Sequence, residues 1–315
     1  MPAKFEDCMK QVIGLVLSLF VFGVSPGVLH AEDPKELFFI FQKQKDPAQV
    51  KAAADEVATY LSKEIGIPVK AQVPLDYSAS IQAMVSKTAD FAYVSSLPFL
   101  LAKRDGGATL LLAEQRVDVK GVPRTEYDSV FVVKKDSPLK SLDDVVKGAK
   151  DLRFVFTSST STSGYLFAYR RLVQEGLLKP KQDPNSVFKS TSFGGGYTQA
   201  LEQVLQGRAD VAAVSYYTVE GPSATTYLPQ AEIDKLRILA RTPGVPTHVV
   251  AARSGLSEEL KAKVKAALLK LGNENPKVLT DVYGTATFVE TQEAKHFANT
   301  IEAVEFLGLP MDNLK

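Results

Sequence analysis

Short apolar runs alternate with amphipathic stretches along most of the chain. The segments ELFFIF and IPVKAQV have the composition of buried strands. Between them, Asp46 and Pro47 open a stretch in which apolar residues recur at helical spacing, and Gly66 closes it. Strands separated by helices in this way predict an α/β fold with mostly parallel sheets. In such folds ligands bind at the carboxyl ends of strands, where the helices begin.

Two distant segments align without a gap. YSASIQAMVSKTADFAYVS begins at Tyr77, and YTQALEQVLQGRADVAAVS begins at Tyr197. Each predicts a helix followed by a short strand, with Asp90 or Asp210 at the junction. General helix-to-strand composition explains part of the likeness. The alternative is two similar lobes that each present a helix start and a strand end to a shared cleft. We expect structural roles for the two aspartates.

A run of hydroxyl residues, TSSTSTSG, lies between the predicted strand DLRFVF and a helical pattern that ends near Gly176. The first N–H groups of a helix have no intrahelical partner, and the helix dipole adds partial positive charge, so such a turn can bind an anion without a lysine or arginine. The hydroxyls add donors, and Gly164 would let a ligand approach the backbone. Since a plain cap needs only one Ser or Thr, the run favours an oxyanion site over a flexible linker.

Other predicted helix starts have the same character. Ser78 follows Tyr77 at the first helix of the repeat, and Ser95-Ser96 ends one strand and begins another helix. Three glycines precede Tyr197, although they lack the spacing and the lysine of a phosphate-binding loop. Together these turns predict convergence on one small tetrahedral anion.

Composition narrows the functional classes. The chain has 315 residues, enough for one large domain or two lobes. Its 37 basic and 36 acidic residues are evenly spread, so nucleic-acid binding is not expected and any ligand charge must be met locally. Three histidines without paired Cys or His spacing predict neither a metal site nor a cofactor.

The N-terminal residues have the features of a secretory signal. Lys4 and Lys10 precede an apolar run from Val12 to Val24, and a small-residue site follows at Ala31. We predict a signal peptide at 1–31, cleaved after Ala31, and a periplasmic location. The single cysteine, Cys8, precedes the apolar run, so the mature chain would have no thiol, disulfide or lipid anchor.

Several motifs resemble those of the periplasmic substrate-binding proteins of phosphate, phosphite and phosphonate ABC transporters: DYSASIQAM, ADFAYVSSLPFLLA, YDSVFVVKKDSPLKSLDDV, STSTSGYL and ADVAAVSYYTVEG. The resemblance covers Glu36 to about Leu309. It implies a two-lobed type II binding protein, a monomer, that closes on a phosphorus oxyanion and delivers it to an inner-membrane permease. We predict one lobe from 32–133 and 242–315 and the other from 134–241, joined by two crossings.

The resemblance also implies positions of ligand-binding residues. Residues 77, 93, 95 and 96 would line the wall of the first lobe, residues 161–163 would hold the oxyanion, and residues 215 and 216 would close the far side. Combined with the helix starts, the candidate ligand-binding set is Tyr77, Ser78, Tyr93, Ser95, Ser96, Tyr127, Ser159, Ser161, Thr162, Ser163, Gly164, Tyr197, Ser215 and Tyr216.

One departure from the family bears on the ligand. Family members that bind aminoalkylphosphonates place carboxylates near the second repeat's helix start and strand end. Those places read GGY and SYY here, without an acid. A buried ammonium would lack a charged partner, so phosphite, phosphate or a simple alkylphosphonate fits better, and the sequence does not rank them. Glu220 or Asp128 could still supply a carboxylate.

Alternatives remain at other positions. His248 has either a structural role or a ligand-facing one, and Arg170 and Arg171 are expected on a solvated helix face. A periplasmic subunit that senses a related arsenic or selenium oxyanion for a membrane histidine kinase would have the same fold and site. An enzyme is disfavoured, because no histidine accompanies the serines and no G-x-S-x-G elbow occurs.

Overall fold

A computed structural model describes residues 33–285 and 287–309. The predicted signal peptide and its cleavage site lie outside the described residues. The described part forms a single compact unit built on two sheets. Within it, no helix is both apolar enough and long enough to cross a bilayer.

The strands are β1 Leu37–Phe41, β2 Val69–Gln72, β3 Phe91–Val94, β4 Thr109–Val117, β5 Pro123–Arg124, β6 Glu126–Lys134, β7 Arg153–Phe156, β8 Ser190–Phe193, β9 Val211–Ser215, β10 Leu236–Pro246, β11 Val249–Ala252 and β12 Thr287–Val289. The first sheet has the order β12-β4-β11-β3-β1-β2, with β5 paired to β4. The second has the order β10-β6-β9-β7-β8.

The α-helices are α1 Pro47–Ile65, α2 Tyr77–Val85, α3 Ser96–Gly106, α4 Leu142–Gly148, α5 Ala168–Gln174, α6 Tyr197–Leu205, α7 Gln230–Ile233, α8 Glu258–Glu274, α9 Pro276–Tyr283, α10 Glu293–His296 and α11 Ala298–Phe306. A π-helical turn, Thr162–Phe167, leads directly into α5. Short 3-10 turns cover Ala149–Asp151, Pro184–Ser186, Tyr216–Thr218 and Ala224–Thr226.

The helix α1 forms as its pattern predicts. The Asp46 side chain accepts hydrogen bonds from the N–H groups of Ala48 and Gln49, and Pro47 occupies the first turn. Gly66 ends the helix with φ of 73°, a left-handed conformation that favours glycine. The buried face of α1 packs against β1 and α8 in one apolar core.

Both halves of the repeat have the same topology. In the first sheet β1 pairs in parallel with β2 and β3, and in the second β7 pairs in parallel with β8 and β9. Asp90 accepts a hydrogen bond from the Phe38 N–H at 2.8 Å, and Asp210 accepts one from the Arg153 N–H at 2.8 Å. Each aspartate therefore anchors the neighbouring parallel strand, which confirms the predicted structural roles.

The α/β class is confirmed, but the sheets are mixed rather than mostly parallel. β11 runs antiparallel to β3 and β4, while β6 and β10 run antiparallel to each other, and β6 also runs antiparallel to β9. The reason is the chain path. Strands that pass between the two sheets enter and leave each sheet in opposite directions, and short-range periodicity does not report strand direction.

Sheet membership bears on the predicted lobe boundaries. β6 and β10 lie wholly in the second sheet, so the chain crosses near Thr125 and again near Thr247, outside the predicted limits at 133/134 and 241/242. The final helix α11 packs on the core of the second sheet through Ala303 and Val304, although the prediction assigned 242–315 to the first lobe. We propose lobe boundaries that follow these crossings. Irregular pairing in β10 supplies places where such a pair of strands can bend.

Candidate functional site

Four helix starts meet where the two sheets face each other. α2 and α3 begin at the first sheet, and the π-helical turn and α6 begin at the second. The N–H of Leu97 in α3 donates to Thr162 Oγ1 at 2.8 Å. The N–H of Tyr197, the first residue of α6, donates to the backbone carbonyl of Gln44 at 2.8 Å. These contacts between the sheets place the helix starts around one buried region, which we call the interlobe site.

Ser163 is the centre of the hydroxyl network in this site. Its Oγ lies 2.8 Å from Ser215 Oγ, 3.0 Å from Tyr197 OH and 3.4 Å from Tyr127 OH. Its carbonyl accepts a hydrogen bond of 2.7 Å from Ser129 Oγ. The structure therefore brings together four predicted site residues that are distant in sequence.

The neighbouring hydroxyls hold the turn and tie the sheets together. Ser161 Oγ accepts from the Gly164 N–H at 3.1 Å, which caps the helix start. Thr162 Oγ1 also accepts from Ser96 Oγ at 3.3 Å, and Ser96 Oγ lies 2.9 Å from Thr300 Oγ1 in α11. Thr162 and Ser96 thus have a structural contact in addition to any contact with a ligand.

Gly164 is required for packing. A Cβ at this position would lie 2.1 Å from Thr157 Oγ1 and 2.9 Å from the Ala213 carbonyl oxygen. The backbone of the turn therefore packs directly against the backbone of β9. This packing alone requires a glycine at position 164, whether or not a ligand binds.

Three predicted residues lie elsewhere. Ser78 and Ser159 are exposed, because each occupies the outward side of its turn. Tyr216 and Tyr217 are both buried, but Tyr216 lines a pocket beside Arg241 and Asp128, whereas the Tyr217 ring packs against Tyr127 and Tyr197. The chain enters a 3-10 turn after Ser215, so the side-chain alternation of the strand does not continue through these residues.

Tyrosine side chains form much of the wall of the interlobe site. Burial raises the pKa of Tyr77 well above its ordinary value, and mutual proximity of the phenols adds to the effect. The same cause raises the pKa values of Tyr127, Tyr217 and Tyr283, so these hydroxyls stay neutral and can donate. Within the described residues, the hydroxyls of Tyr77 and Tyr217 have no hydrogen-bond partner.

Two glutamines after β1, Gln42 and Gln44, contact residues of this wall. Gln42 Oε1 accepts from the Ser95 N–H at 2.7 Å, and Gln44 Oε1 accepts from Tyr227 OH at 3.1 Å. Both Nε2 groups and the Ser95 hydroxyl are buried without a partner in the described part of the chain. Since burial of an unpaired polar group is costly, this concentration of unpaired N–H and O–H groups indicates a site built for an acceptor-rich ligand.

A buried ion pair supports the same wall. Glu114 and Arg116 in β4 lie two residues apart on one face, and the Arg116 Nε contacts Glu114 Oε1. Arg116 also donates to the Tyr283 carbonyl oxygen and stacks on the Tyr217 ring, with its Cζ 3.6 Å from the ring centroid. Thr285 Oγ1 donates to Glu114 at 2.8 Å.

These contacts fix the charges of the pair. Burial alone would raise the pKa of the Glu114 carboxyl, but the Arg116 guanidinium, the His248 imidazole and the Thr285 hydroxyl outweigh it and lower the pKa to about 2. The Glu114 carboxylate raises the pKa of Arg116. The pair therefore adds no net charge to the interlobe site.

We expect Glu114 to make the protein acid-sensitive. Its carboxyl has an ordinary pKa of 4.5 that falls to about 2 in the fold, so its contribution to stability is present above pH 4.5 and is lost as the pH falls towards 2. Glu114→Gln should therefore show a shallower fall in the free energy of unfolding over this range than the wild type, measured by urea titration at several pH values. Equal slopes would contradict the assignment.

Several important residues were missed by sequence reasoning. The Glu and the Arg two positions apart inside the apolar strand LLLAEQRV could have been predicted to form an ion pair. Charges on one face of a buried strand must be paired. The others gave no local signal: Gln42, Gln44, Tyr217, Tyr227 and Tyr283.

Within the described residues, no group of His, Cys, Asp or Glu is arranged to hold a metal ion. Arg171 pairs with Glu175 and is partly exposed, whereas the Arg170 side chain is only 16% exposed and pairs with Glu302. The predicted solvated helix face is therefore wrong for Arg170, whose guanidinium lies over the Phe306 ring.

Comparison with known proteins gives consistent matches. Residues 39–296 match the profile of the family described as "ABC transporter, phosphonate, periplasmic substrate-binding protein". The phosphonates-binding periplasmic protein of Escherichia coli (strain K12) is 27% identical over 273 residues, covering 86% of this chain and 77% of that protein. A probable ABC transporter phosphite-binding protein, PhnD1 of Prochlorococcus marinus (strain MIT 9301), is 24% identical over 263 residues, covering 81% of this chain and 82% of that protein.

Solved structures share the fold. A binding-protein component of an ABC phosphonate transporter from Pseudomonas aeruginosa superposes with a TM-score of 0.76 at 24% identity, covering 88% of this chain and 87% of that one. PhnD1 of Prochlorococcus marinus, solved in complex with methylphosphonate, superposes with a TM-score of 0.72 at 22% identity, covering 88% of this chain and 99% of that one. The two-lobed binding-protein fold is thereby established.

Proposed function

The chain belongs to the family of periplasmic substrate-binding proteins of phosphonate ABC transporters, and on this premise we propose that it captures a small phosphorus oxyanion in the interlobe site and delivers it to an ABC permease. Members of this family are transport components and not enzymes. The observation that carries the proposal is the set of buried donors without partners around the Ser163 network.

The donors suit a tetrahedral oxyanion. Tyr77 OH, Tyr217 OH and the Nε2 groups of Gln42 and Gln44 supply N–H and O–H groups from both sheets, while Ser163 and Ser215 supply more from the helix start and strand end. A phosphorus oxyanion presents three or four oxygens in different directions, so it can accept hydrogen bonds from both sheets at once. Binding would therefore favour the arrangement in which the sheets are in contact, as capture by closure requires.

The charge balance favours a ligand without an ammonium group. Glu114 is a buried carboxylate beside the tyrosine wall, and it is already occupied by Arg116, Thr285 and His248. The two acids that the sequence left open, Asp128 and Glu220, both pair with Arg241 beside the surface pocket. An ammonium buried in the site would lack a free carboxylate, at a cost of several kcal/mol.

We expect phosphite, phosphate and methylphosphonate each to raise the melting temperature, because a ligand that binds only the folded state stabilises it. In calorimetric titrations at least one of the three should bind with micromolar or lower Kd, and aminoethylphosphonate should bind at least about tenfold more weakly than the best of them. Sulfate and buffer alone serve as controls. Tighter binding of aminoethylphosphonate than of phosphite would refute the ligand class.

The partner is the second part of the proposal. Its family membership favours an ABC permease, whereas a sensor role for a related arsenic or selenium oxyanion would use the same site. Co-purification of the tagged, exported protein from membranes with a permease, and not with a histidine kinase, is the expected result. We propose that the protein acts as a monomer, which light scattering with and without ligand would test.

A further inference from the structure

His248 is the buried imidazole of the interlobe site. It lies between β10 and β11, where the chain returns to the first sheet, and its side chain is fully buried. The Tyr127 ring stacks on it, with a centroid distance of 6.1 Å and an interplanar angle of 9°, and Tyr93 meets it edge-on at 6.2 Å. The Tyr127 hydroxyl also contacts Ser163 Oγ, so only the Tyr127 side chain separates the imidazole from the hydroxyl network.

The two ring nitrogens have different surroundings. Nδ1 lies 3.2 Å from Oε2 of Glu114, a carboxylate that Arg116 and Thr285 already hold in its ionised form. An anionic neighbour places a proton on Nδ1 and leaves Nε2 as the variable position. The contact between Nδ1 and Oε2 is a charge contact without hydrogen-bond geometry, and Nε2 is buried and has no hydrogen-bond partner among the described residues. A purely structural histidine would normally satisfy this nitrogen.

We propose that Nε2 of His248 contacts the bound oxyanion and shares one proton with it. The inference rests on the proposed function. A neutral imidazole accepts a hydrogen bond from a protonated oxygen of the ligand, and an imidazolium donates one to a deprotonated oxygen. Both arrangements contain a single proton between Nε2 and the ligand. With two protons between Nε2 and the ligand oxygen, two donors would face each other. With no proton, the lone pairs of Nε2 and of the oxygen would face each other.

The shared proton also limits the buried charge. Since Glu114 and Arg116 cancel, a dianion beside a neutral imidazole would bury two uncompensated negative charges. One proton on the ligand or on His248 leaves a single negative charge for the neutral donors to stabilise. His248 therefore specifies ligands that have an ionisable oxygen and titrate near neutrality, as phosphonates, phosphite and phosphate do.

The other charged and titratable groups around His248 come from five elements. Burial raises the pKa values of the tyrosines, Glu114 titrates near pH 2, Arg116 stays charged, and burial lowers the pKa of His296, whose Nε2 lies 3.0 Å from the Thr247 carbonyl oxygen. None of them competes with the imidazole for a proton on a ligand oxygen at neutral pH. These groups are Tyr93, Glu114, Arg116, Tyr127, Tyr283 and His296.

Proton-linked calorimetry tests the proposal directly. Methylphosphonate is titrated into the wild-type protein from about pH 5.5 to about pH 8.5, in pairs of buffers with different ionisation enthalpies. Where both free partners hold a proton, a complex with one shared proton requires binding to release about one proton. Where neither free partner holds one, binding should take up about one proton. The sign of the exchange should therefore reverse.

Other outcomes are distinguishable. If binding is linked only to protonation of the ligand and not of His248, proton exchange falls to zero at one end of the pH range. This result overturns the role of His248 even when the wild type binds tightly. Absence of binding by methylphosphonate, phosphite and phosphate would instead overturn the proposed function, and the inference with it.

Variants give a second measurement. His248→Gln places an amide near the position of Nε2, and His248→Asn places one near Nδ1. If Nε2 contacts the ligand, the Gln variant should bind at least about tenfold more tightly than the Asn variant, and neither should show the sign reversal. His296→Gln is the matched control and should retain it. Equal affinities of the two His248 variants would contradict the contact, and if both fail to fold the wild-type proton count still decides.

Discussion

Replacing Ser163 with alanine is expected to weaken binding of the preferred phosphorus oxyanion by about 10- to 100-fold, because a hydrogen bond to a charged group contributes about 1.5–3 kcal/mol. Ser163 Oγ is the point where Ser215, Tyr197 and Tyr127 meet, so its removal also disturbs the orientation of their donors. Isothermal titration calorimetry with methylphosphonate, phosphite and phosphate measures the effect.

Ser159→Ala is the matched control for this prediction. Ser159 belongs to the same hydroxyl run, but its side chain is exposed, so binding should stay within about twofold of the wild type. Melting temperatures without ligand separate a loss of binding from a loss of folding. If Ser159→Ala weakens binding as much as Ser163→Ala does, or if neither has an effect, the Ser163 network is not the ligand site.

Arg116→Met is expected to destabilise the ligand-free protein by about 3–5 kcal/mol, because it leaves the Glu114 carboxylate buried without its main partner. The arginine also has roles that a methionine cannot take, since it donates to the Tyr283 carbonyl oxygen and packs on the Tyr217 ring. The free energy of unfolding is obtained from urea titration of the ligand-free protein near neutral pH.

Two further variants make the Arg116 result specific. In the double variant Glu114→Gln with Arg116→Met, no charge is left buried, so a substantial part of the stability should return. Arg124→Met removes a surface partner of Asp118, 3.2 Å away, and should change stability by less than about 1 kcal/mol. A double variant no more stable than Arg116→Met would show that packing, and not the charge on Glu114, dominates the loss.

Buried pairing also explains how a site for an anion can have no net positive charge. A free arginine would attract phosphate, sulfate and carboxylates alike, whereas neutral donors act only when their geometry matches the ligand. Arg116 is fully engaged by Glu114, Ser223 and the Tyr283 carbonyl, so it positions the wall without presenting a free cation. Selectivity is then expected to depend on the directions of the hydroxyl, amide and imidazole groups.

Local features of the sequence determined much of the fold. The cap at Asp46, the glycine at 66 and the apolar spacing between them specify α1, because capping and amphipathic burial act within a few residues. The repeat beginning at Tyr77 and Tyr197 identified two equivalent helix-to-strand units, and Asp90 and Asp210 have equivalent contacts. The hydroxyl run likewise identified the turn that contains Ser163.

Tertiary structure decided which hydroxyl groups share one site. Ser163 and Ser159 belong to the same run, yet Ser163 is buried against Tyr127, Tyr197 and Ser215 while Ser159 is exposed. The direction of a side chain in a turn depends on how the turn packs. The 3-10 turn after Ser215, which the strand pattern did not indicate, places the Tyr216 ring beside Arg241 and the Tyr217 ring beside Tyr127 and Tyr197. The mixed sheets followed from the crossing strands, whose direction is set by the chain path.

The sequence by itself determined the secondary elements, the repeated unit and the hydroxyl-rich helix start, since each depends on interactions between near neighbours. Only the tertiary structure brought Glu114, Arg116 and His248 together, and only it placed Gln42, Gln44 and Tyr283 around the same space. The physical reason is that hydrogen bonding and charge compensation in a buried site depend on distance in space, which the order of residues along the chain does not specify.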